Sequence, residues 1–545
     1  MVLKITCFDD STYLFLLVRA IGSSLPESLI LRTQSAQLRW SNDGREHKVT
    51  ASEAGLDPQL LQILSIENRL RKGLAFLRKL PDASQSWAIT PHTTIHMLEP
   101  LTKQEEVKLS IKALAWICFA FPRIRHQEPQ YTSLVLSLLP LLNCALQGVG
   151  RGKIPDFLQH EVSEALLAAC KIEGIRRMAL LKMVEFANNE LPLHLQAELA
   201  LEKSILSRLS GDFIDSERAI HDFFCRCGVS TDKCTPSFFQ QIRPARVECR
   251  LSAMYGLLHR SHLENLVQCG NYNLAKQQVN DWEMPPLPSP LEWSILASRT
   301  LTASKIFRSQ ADFEPARERL EMCLKVLQGH EQIASQVLCQ LLDIYSDLEL
   351  PQLAAELIAP EIEKWRKKAP KSKALRRILV SSIDIDLQRG HYDDTKKTIK
   401  ELSSTFEGLQ NLDVSDELLH IRFLIASARI DHLCSEFGQA VQKWEVALDH
   451  MQKYASFNGE GFTYAVIHLS ISLASLKMNR GIDAANSFSH GQRILHERML
   501  DYWIPTLPAW FRFVASEMRL VNGWICAAGR SSNFIEPLDH YAIVM

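Results

Sequence analysis

The sequence predicts an all-α fold in which a small N-terminal domain precedes an α-solenoid of degenerate helical repeats. Three observations lead to this prediction. Glycine (22) and proline (23) are scarce in a chain of 545 residues, which favours helices over turn-rich sheets. Apolar residues recur at three- and four-residue spacing almost everywhere after residue 150. A short turn motif also recurs at roughly 40-residue intervals, as it does in repeats of two helices.

The composition is that of an ordinary globular protein. The chain is 46% hydrophobic and 23% charged, and its net charge of −1 gives no field that would attract nucleic acid or an anionic membrane. Its 13 cysteines are odd in number and scattered, which is typical of reduced thiols inside cells. We see no signal-peptide pattern and no apolar stretch of about 20 residues that would span a membrane. These features predict a cytoplasmic or nuclear protein.

The recurring turn places an aromatic or apolar residue three positions before a small residue. From Tyr272 onward, the spacing between successive copies runs from 38 residues (Phe313 to Pro351) to 45 residues (Tyr392 to Phe437), and Phe213 begins an earlier, more distant copy. Another apolar residue usually follows four positions after the small one, although Ser489 breaks this rule in the last copy. The copies are Phe213/Ser216, Tyr272/Ala275, Phe313/Ala316, Pro351/Ala354, Tyr392/Thr395, Phe437/Ala440 and Ile482/Ala485.

A small residue at this place allows the second helix of a repeat (helix B) to approach the first (helix A) closely. The next apolar residue would then face the adjoining repeat. The pattern resembles the tetratricopeptide repeat with its G-x-Y-x-x-A turn, in a degenerate form with longer helices. The resemblance covers roughly residues 195–500.

The first 125 residues carry a different pattern. Two apolar helices precede a strand pair around Leu80–Thr90, and a further helix follows. Two short motifs, I-P-x-x-L-L and Y-x-x-H-x-x-V, are matched by Leu25, Pro26 and Leu29, and by Trp87 or Ile89 with His92, Ile95 and Leu98. The segment resembles the winged helix of STAND-type ATPases such as NB-ARC proteins, and the whole chain resembles fungal repeat proteins of this type.

This resemblance implies a sensor and scaffold that lacks the ATPase domain, because only about 10 residues precede the match. We therefore expect four segments. They are a winged-helix-like domain (1–125), linking helices (126–194), tetratricopeptide-like repeats (195–500) and a C-terminal capping helix and tail (501–545).

The stretch LQGVGRGKIP at residues 146–155 has the glycines and lysine of a phosphate-binding loop. The motif G-x-x-x-x-G-K-[S/T] would need glycine where Gln147 stands and a hydroxyl residue where Ile154 stands. We therefore interpret it as a turn between helices. Asp384 and Asp386 are two residues apart on a helix, so they point to different faces. No catalytic motif is recognisable, and we predict no enzyme activity and no cofactor.

One group of residues could hold a metal ion. It comprises His221, Cys225, Cys227 and Cys234, in the segment HDFFCRCGVSTDKC. His221 and Cys225 would share one helical face, and four nitrogen and sulfur ligands suit tetrahedral zinc. The C-x-C spacing is unusual for zinc, and the neighbouring phenylalanines indicate a packed helix end. The main interpretation is therefore thiols in a core or turn, with no metal.

Two clusters of basic residues are candidate interaction sites. The stretch Glu363–Arg377 has the basic residues Lys364, Arg366, Lys367, Lys368, Lys371, Lys373, Arg376 and Arg377. It predicts a solvated surface between repeats, with nuclear import or an acidic partner as alternatives. The winged-helix-like segment offers Arg69, Arg71, Lys72, Arg78 and Lys79. Recognition helices read bases with their N-terminal residues, here Asp57, Pro58 and Gln59, so nucleic-acid binding is not expected.

These observations predict a non-catalytic scaffold that binds protein partners through the concave face of the solenoid, which helix A of each repeat would line. The segments expected there are Trp293–Ile306, Gln336–Tyr345, Arg376–Asp386 and His420–Ile430. The aromatic segment Leu500–Phe513 either caps the last repeat or forms a partner patch. The alternatives are a transcription-associated regulator that contacts DNA, or an accessory protein of a fungal metabolite gene cluster.

Overall fold

The computed structural model describes most of the chain. The described residues are 8–22, 24–80, 86–89, 101–125, 129–150, 154–186, 191–227, 239, 248–285, 287–310, 312–327, 331–407, 414–453, 461–497 and 504–527. They form two compact units, each with its own core. Unit 1 comprises residues 1–261 and 282–292, and unit 2 comprises residues 262–281 and 293–545. The all-α prediction is confirmed, because the few strands present are short and lie near the N-terminus.

Unit 1 begins with a mixed segment and continues with helices alone. The mixed segment consists of α1 (Asp10–Ala20), β1 (Ser24–Pro26), α2 (Glu27–Gln34), β2 (Gln37–Trp40), β3 (Glu46–Val49), α3 (Pro58–Ser65), α4 (Glu67–Gly73), β4 (Leu77–Lys79) and β5 (Ser86–Ile89). The helices that follow are α5 (Lys103–Ala120), α6 (Pro129–Val149), α7 (Asp156–Ala169), α8 (Glu173–Phe186), α9 (Leu193–Leu209) and α10 (Phe213–Arg226).

The strands form one three-stranded antiparallel sheet and one separate hairpin. In the sheet, β5 lies between β1 and β4, with Leu25 opposite Trp87 and Lys79 also opposite Trp87. The hairpin pairs β2 with β3 around a turn that contains Gly44, whose φ of 72° favours glycine. The predicted strand pair is present as β4 and β5, with β4 earlier than expected. The hairpin and β1 were not predicted.

Side-chain caps fix the starts of several helices in unit 1. The Asp9 carboxylate accepts hydrogen bonds from the amides of Ser11 and Thr12 at the start of α1. Thr102 and Glu105 form a reciprocal capping box at the start of α5. The apolar residues 13–18 of α1 are all buried, and α1 packs against α4 and α5. The core of the unit therefore forms around an N-terminal helix that is apolar on most of its faces.

The sequence predicted no stretch that could span a membrane, but helix α6 is long and apolar. Its residues Gln130–Val149 are long and apolar enough to do so by length and composition alone. A core helix passes the same test, and 44% of this window is buried inside the protein. Val135, Leu138 and Leu142 are fully buried in the core of unit 1.

Two long helices are shared between the units, and unit 2 is otherwise built from helix pairs. The shared helices are α11 (Cys249–Gln268) and α13 (Pro290–Ser309), with α12 (Tyr272–Gln278) between them. The remaining helices are α14 (Phe313–Val326), α15 (Glu331–Asp347), α16 (Pro351–Lys368), α17 (Lys373–Gln388), α18 (Tyr392–Phe406), α19 (Val414–Leu433), α20 (Phe437–Gln452), α21 (Phe462–Lys477), α22 (Gly481–Glu497) and α23 (Leu507–Ala527).

The repeated turns share one backbone geometry. In each of seven copies, an amide one residue before helix B donates a 2.8–2.9 Å hydrogen bond to a carbonyl five residues earlier, for example from Asn271 to Leu266. This bond is that of a Schellman motif, which needs a left-handed residue after helix A. Gly211, Gly270 and Gly390 fill that position in three copies, whereas Glu349, Ser435 and Asn479 adopt it with φ between 59° and 64°.

The motif residues occupy equivalent places in helix B. The first residue of each motif starts the helix, and the small residue three positions later is buried. Ser216, Ala275, Ala316, Ala354, Thr395 and Ala440 are all 0% exposed. The aromatic residues at the first position, Phe213, Tyr272, Phe313, Tyr392 and Phe437, are only half-buried or exposed.

The last copy of the motif is shifted by one residue from its predicted place. Helix α22 starts at Gly481, and Ala484 rather than Ala485 is the buried small residue. Ile482, the predicted first residue of this motif, is 81% exposed. With this correction the apolar residue four positions later is the buried Phe488, and the exception at Ser489 disappears.

Candidate functional site

The helices expected to line a binding groove are buried within unit 2. All residues of the four segments Trp293–Ile306, Gln336–Tyr345, Arg376–Asp386 and His420–Ile430 are described, and Lys305 is the only exposed one among them. Helices α17 and α21 have buried residues on all sides. Most of the predicted groove residues are therefore buried, and the others apart from Lys305 are half-buried.

Charged residues of these helices pair with one another instead of facing solvent. The Arg422 guanidinium lies between two carboxylates, 2.7 Å from Asp343 Oδ1 and 2.8 Å from Asp384 Oδ2. Arg429 reaches the other oxygen of Asp384 at 3.0 Å. The two carboxylates raise the pKa of Arg422 against the effect of its burial. This cluster joins α15, α17 and α19, and it stabilises packing between successive repeats.

Asp384 and Asp386 do point to different sides of α17, as predicted. Asp384 faces the arginines of α19, whereas Asp386 lies 3.6 Å from Arg389 on its own helix. Burial raises the pKa of Asp386, but Asp384 is not beside it. The pair therefore has no shared site for acid–base chemistry.

The segment just before α23 packs against charged residues of the same helices. The Thr506 amide donates to Asp347 Oδ1 at 2.8 Å, and its hydroxyl lies 2.6 Å from Arg429 Nη1. Asp347 in turn accepts from Arg308 Nε at 2.6 Å. Thr506 is fully buried. Since the Thr506 hydroxyl also lies 3.3 Å from Asp384 Oδ1, Thr506 contacts side chains of three different repeats.

The aromatic segment that follows packs into the core of the last repeats. Leu507, Trp510 and Phe511 are buried, and Trp510 Nε1 donates to Ser470 Oγ at 2.9 Å. The Arg429 guanidinium lies 5.3 Å from the centre of the Trp510 ring. Between the two predictions for this segment, capping and a partner patch, the described residues fit capping.

The predicted zinc ligands are only partly within the described residues. His221 and Cys225 do lie on one face of α10, with 3.5 Å between His221 Nδ1 and Cys225 Sγ. Cys227 follows at the end of the helix, and Cys234 lies outside the described residues. Phe223 and Phe224 are fully buried beside them, so this helix end is packed as the sequence indicated.

The basic stretch Glu363–Arg377 is largely compensated by acidic neighbours. Arg366 binds both carboxylate oxygens of Glu401 at 2.6 and 2.8 Å. The buried Arg376 makes the same bidentate contact with Asp416, at 2.9 Å to each oxygen. The hydrogen bonds from Arg366 to Glu401 raise the pKa of the Arg366 guanidinium above its ordinary value. The stretch is therefore a weaker positive patch than its composition indicates.

Two of the basic residues near the N-terminus likewise pair with carboxylates. Arg69 binds Asp10 through Nε and Nη2 at 2.7 and 2.5 Å, and Arg71 pairs with Glu67 at 2.5 Å. Asp57 caps α3 and pairs with Lys112 at 2.7 Å. Of the winged-helix motif residues, His92, Ile95 and Leu98 lie outside the described residues.

The glycine-rich stretch at residues 146–155 begins within α6. Helix α6 ends at Val149, and Gly150 follows with a φ of 79°, which ends the helix. Residues 151–153 lie outside the described residues, and Ile154 is buried.

Sequence reasoning missed a cluster of two histidines and a carboxylate in unit 2. One ligand atom each from Glu417, His420 and His450 lies within 4.8 Å of the others. Glu417 and His420 are three residues apart on α19, and His450 lies near the end of α20. Burial lowers the pKa of His420, with a further lowering by His450. The Glu-x-x-His spacing was visible in the sequence, but the third residue is distant along the chain.

Comparison with protein-family models and with curated proteins found no match to this chain. The proposed function therefore rests on the arrangement of side chains.

Proposed function

We propose that this protein is a non-catalytic scaffold that binds partner proteins through an exposed apolar sector of its B helices. The observation that carries the proposal is the position of the large hydrophobic residues left exposed in unit 2. Six of the eight within its described residues lie on B helices, away from the turn. They are Leu274, Met322, Val326, Leu353, Leu357 and Val446.

These six residues share one direction on their helices. Counted from the first residue of the helix, Leu274 and Leu353 lie two positions on, and Met322 and Val446 lie nine positions on. The other two lie six and thirteen positions on. At 100° per residue, all these positions fall within a sector of about 60°. The sector lies on the solvent-facing side of these helices, and we infer that the six residues together form one apolar surface there.

The pattern within single helices indicates the kind of partner. Met322 and Val326 are four residues apart on α14, as are Leu353 and Leu357 on α16. Apolar pairs with this spacing fit the apolar side of an amphipathic helix, which is a common recognition mode. We therefore expect a partner that presents a helix, and we place its binding on helix B rather than on the buried helix A.

The N-terminal segment belongs to the proposal as a winged-helix-like docking domain. The order β1-β5-β4, with the last two strands as a hairpin, supports that interpretation. The resemblance to STAND-type proteins and to tetratricopeptide repeats, and a cytoplasmic or nuclear location, remain parts of the same proposal. The DNA-contact alternative has less support, because Arg69 and Arg71 pair with carboxylates of their own domain.

The test is affinity purification of the tagged full-length chain from its native cells, with partners identified and quantified by mass spectrometry. A stoichiometric partner of the wild type should be reduced at least about tenfold by the double substitution Met322→Asp and Leu353→Asp, because charges would replace the apolar contacts. The matched control is Ile482→Asp. Ile482 is also an exposed apolar residue and is the second residue of a B helix, but it lies outside the sector.

Retention of the partner by the double variant, or equal loss in the control, would refute the proposed surface. Binding of the full-length chain to duplex DNA at low salt, lost on substitution of Lys72 and Arg78, would instead favour the regulator that contacts DNA.

A further inference from the structure

We propose that Glu417, His420 and His450 bind a zinc ion that joins helix A and helix B of one repeat. Two ligands lie on α19 and one on α20, so a bound ion would cross-link the two helices. The proposal is independent of the partner surface, because none of the six exposed apolar residues belongs to this cluster.

The geometry is close to that of a site ready for an ion. His450 Nδ1 lies 2.6 Å from Glu417 Oε1, and one atom from each of the three residues lies within 4.8 Å of the others. Ligands of tetrahedral zinc lie 2.0–2.2 Å from the ion. Small side-chain rotations therefore suffice to bring the three ligand atoms around a common centre. In doing so the ion would replace the proton that His450 and Glu417 now share.

The surroundings hold the ligands in place. Glu417 is 8% exposed, and a buried carboxylate needs a compensating positive charge. The His420 ring contacts both Phe406 and Phe423, with ring centres 5.2 and 5.9 Å away. These contacts fix the ring in a direction that also brings it 5.1 Å from the His450 ring.

One nitrogen of the cluster lacks a hydrogen-bond partner. His420 Nδ1 is buried, and within the described part of the chain no group bonds to it. A buried polar atom without a partner is costly, and an unfilled ion site is one reason for such an atom to persist. This orphaned nitrogen is the second observation that points to a ligand.

The donor set selects the class of metal ion. Two imidazoles and one carboxylate suit Zn²⁺, whereas Mg²⁺ and Ca²⁺ prefer oxygen ligands alone. Three protein ligands leave one coordination position of a tetrahedral ion for water.

A second histidine pair in unit 2 provides a matched control. His468 and His490 lie on α21 and α22 with ring centres 4.5 Å apart, but no carboxylate completes a metal cluster there among the described residues. The pair therefore has the ring contact without the third ligand. The His221–Cys225 contact on α10 is a separate place where zinc could bind, and Cys225→Ser removes it.

The experiment measures zinc binding to the full-length chain after removal of metal by a chelator. Isothermal titration with Zn²⁺ would compare the Cys225→Ser parent with three variants of it. Each variant carries one further substitution, His420→Asn, His450→Gln or Glu417→Gln. We expect one zinc ion fewer per chain, or affinity weaker by more than about 100-fold, since loss of an outer-shell partner alone costs 10–100-fold. The control His468→Gln should bind zinc as its parent does.

Cobalt gives an independent readout of the ligands. Co²⁺ bound to the parent should show the intense visible absorption of a four-coordinate ion, and this band should be lost in the three ligand variants. Circular dichroism of each variant separates loss of the site from loss of fold. Unchanged zinc stoichiometry and affinity in well-folded ligand variants would overturn the proposal, as would an equal loss in the His468→Gln control.

Discussion

Glu164 in unit 1 is a buried charge that oppositely charged neighbours compensate. Its carboxylate lies between two guanidiniums, 2.5 Å from Arg123 and 2.8 Å from Arg250. Burial alone would raise the pKa of Glu164, but the two arginines hold that pKa at about 2, below the ordinary 4.5. A carboxyl group with a lowered pKa favours the folded state when it is ionised.

The first prediction concerns the acid sensitivity of unit 1. The stabilisation from Glu164 should be present above pH 4.5, amount to about 3 kcal/mol, and disappear as the pH falls from 4.5 towards 2. Glu164→Gln should therefore lower the free energy of unfolding by roughly this amount at pH 7 and make it less dependent on pH over that interval. Denaturant unfolding between pH 2 and 7 measures both effects, and parallel curves for variant and wild type would contradict it.

A second residue-scale prediction follows from Ser435, which ends α19 in the left-handed conformation. Its φ is 64°, a region that costs a residue with a side chain about 1–2 kcal/mol. Ser435→Gly should raise the free energy of unfolding by about 0.5–1 kcal/mol, after the greater flexibility of unfolded glycine is subtracted. The measurement is thermal or denaturant unfolding of the full-length protein.

The control for this prediction is the same substitution inside a helix. Ser489 is exposed within α22, and Ser489→Gly should lower stability by about 0.5 kcal/mol. If both serine variants were destabilised alike, the conformational argument at Ser435 would fail.

At the scale of elements, the segment 504–518 acts as the end cap of unit 2. Trp510 is 4% exposed and contacts Ser470 through its indole nitrogen, while the ring of Phe513 stacks on it at 4.8 Å. Trp510→Ala should cost about 3–5 kcal/mol because it leaves a large cavity. Phe513→Ala should cost clearly less, since Phe513 is only half-buried. Equal losses in denaturant unfolding would show that Trp510 is not the anchor of the cap.

The elements could be predicted from sequence where their signals are local. The turn before α20 is marked by Phe437 and Ala440, and the structure places both as the motif requires. The motif copy at residues 480–485 was predicted one residue away from its place in the structure, because Ala484 and Ala485 are both small residues. The β2–β3 hairpin was missed, although Asn42, Asp43 and Gly44 form a turn signal between its strands.

Burial of the A helices could not be predicted in this way. Periodicity shows which residues of a helix are apolar, but not which distant segment covers its remaining side. Thr506 contacts Asp347 across 159 residues of sequence, and Arg422 contacts Asp343 across 79. The proposed zinc ligands pose the same difficulty, because His450 lies 33 residues from Glu417.

At the scale of the whole molecule, the chain divides into two compact units. The units do not share an apolar core: unit 1 has one, which includes Trp116, and unit 2 has two, which include Trp365 and Trp444. The boundary passes through α11 and α13, whereas the sequence placed its boundaries near residues 125, 194 and 500. Composition does not change at these helices, so the sequence offers no signal there.

Separate cores predict separate unfolding transitions. Chains with more than one core commonly depart from two-state behaviour, so calorimetry of the full-length protein should resolve two transitions. Glu164→Gln should lower the midpoint of one transition by roughly 6–10 °C, and Ser435→Gly should raise the midpoint of the other by about 1–3 °C. Each variant thereby identifies the unit to which a transition belongs. A single transition that both variants move would show that the two units unfold together.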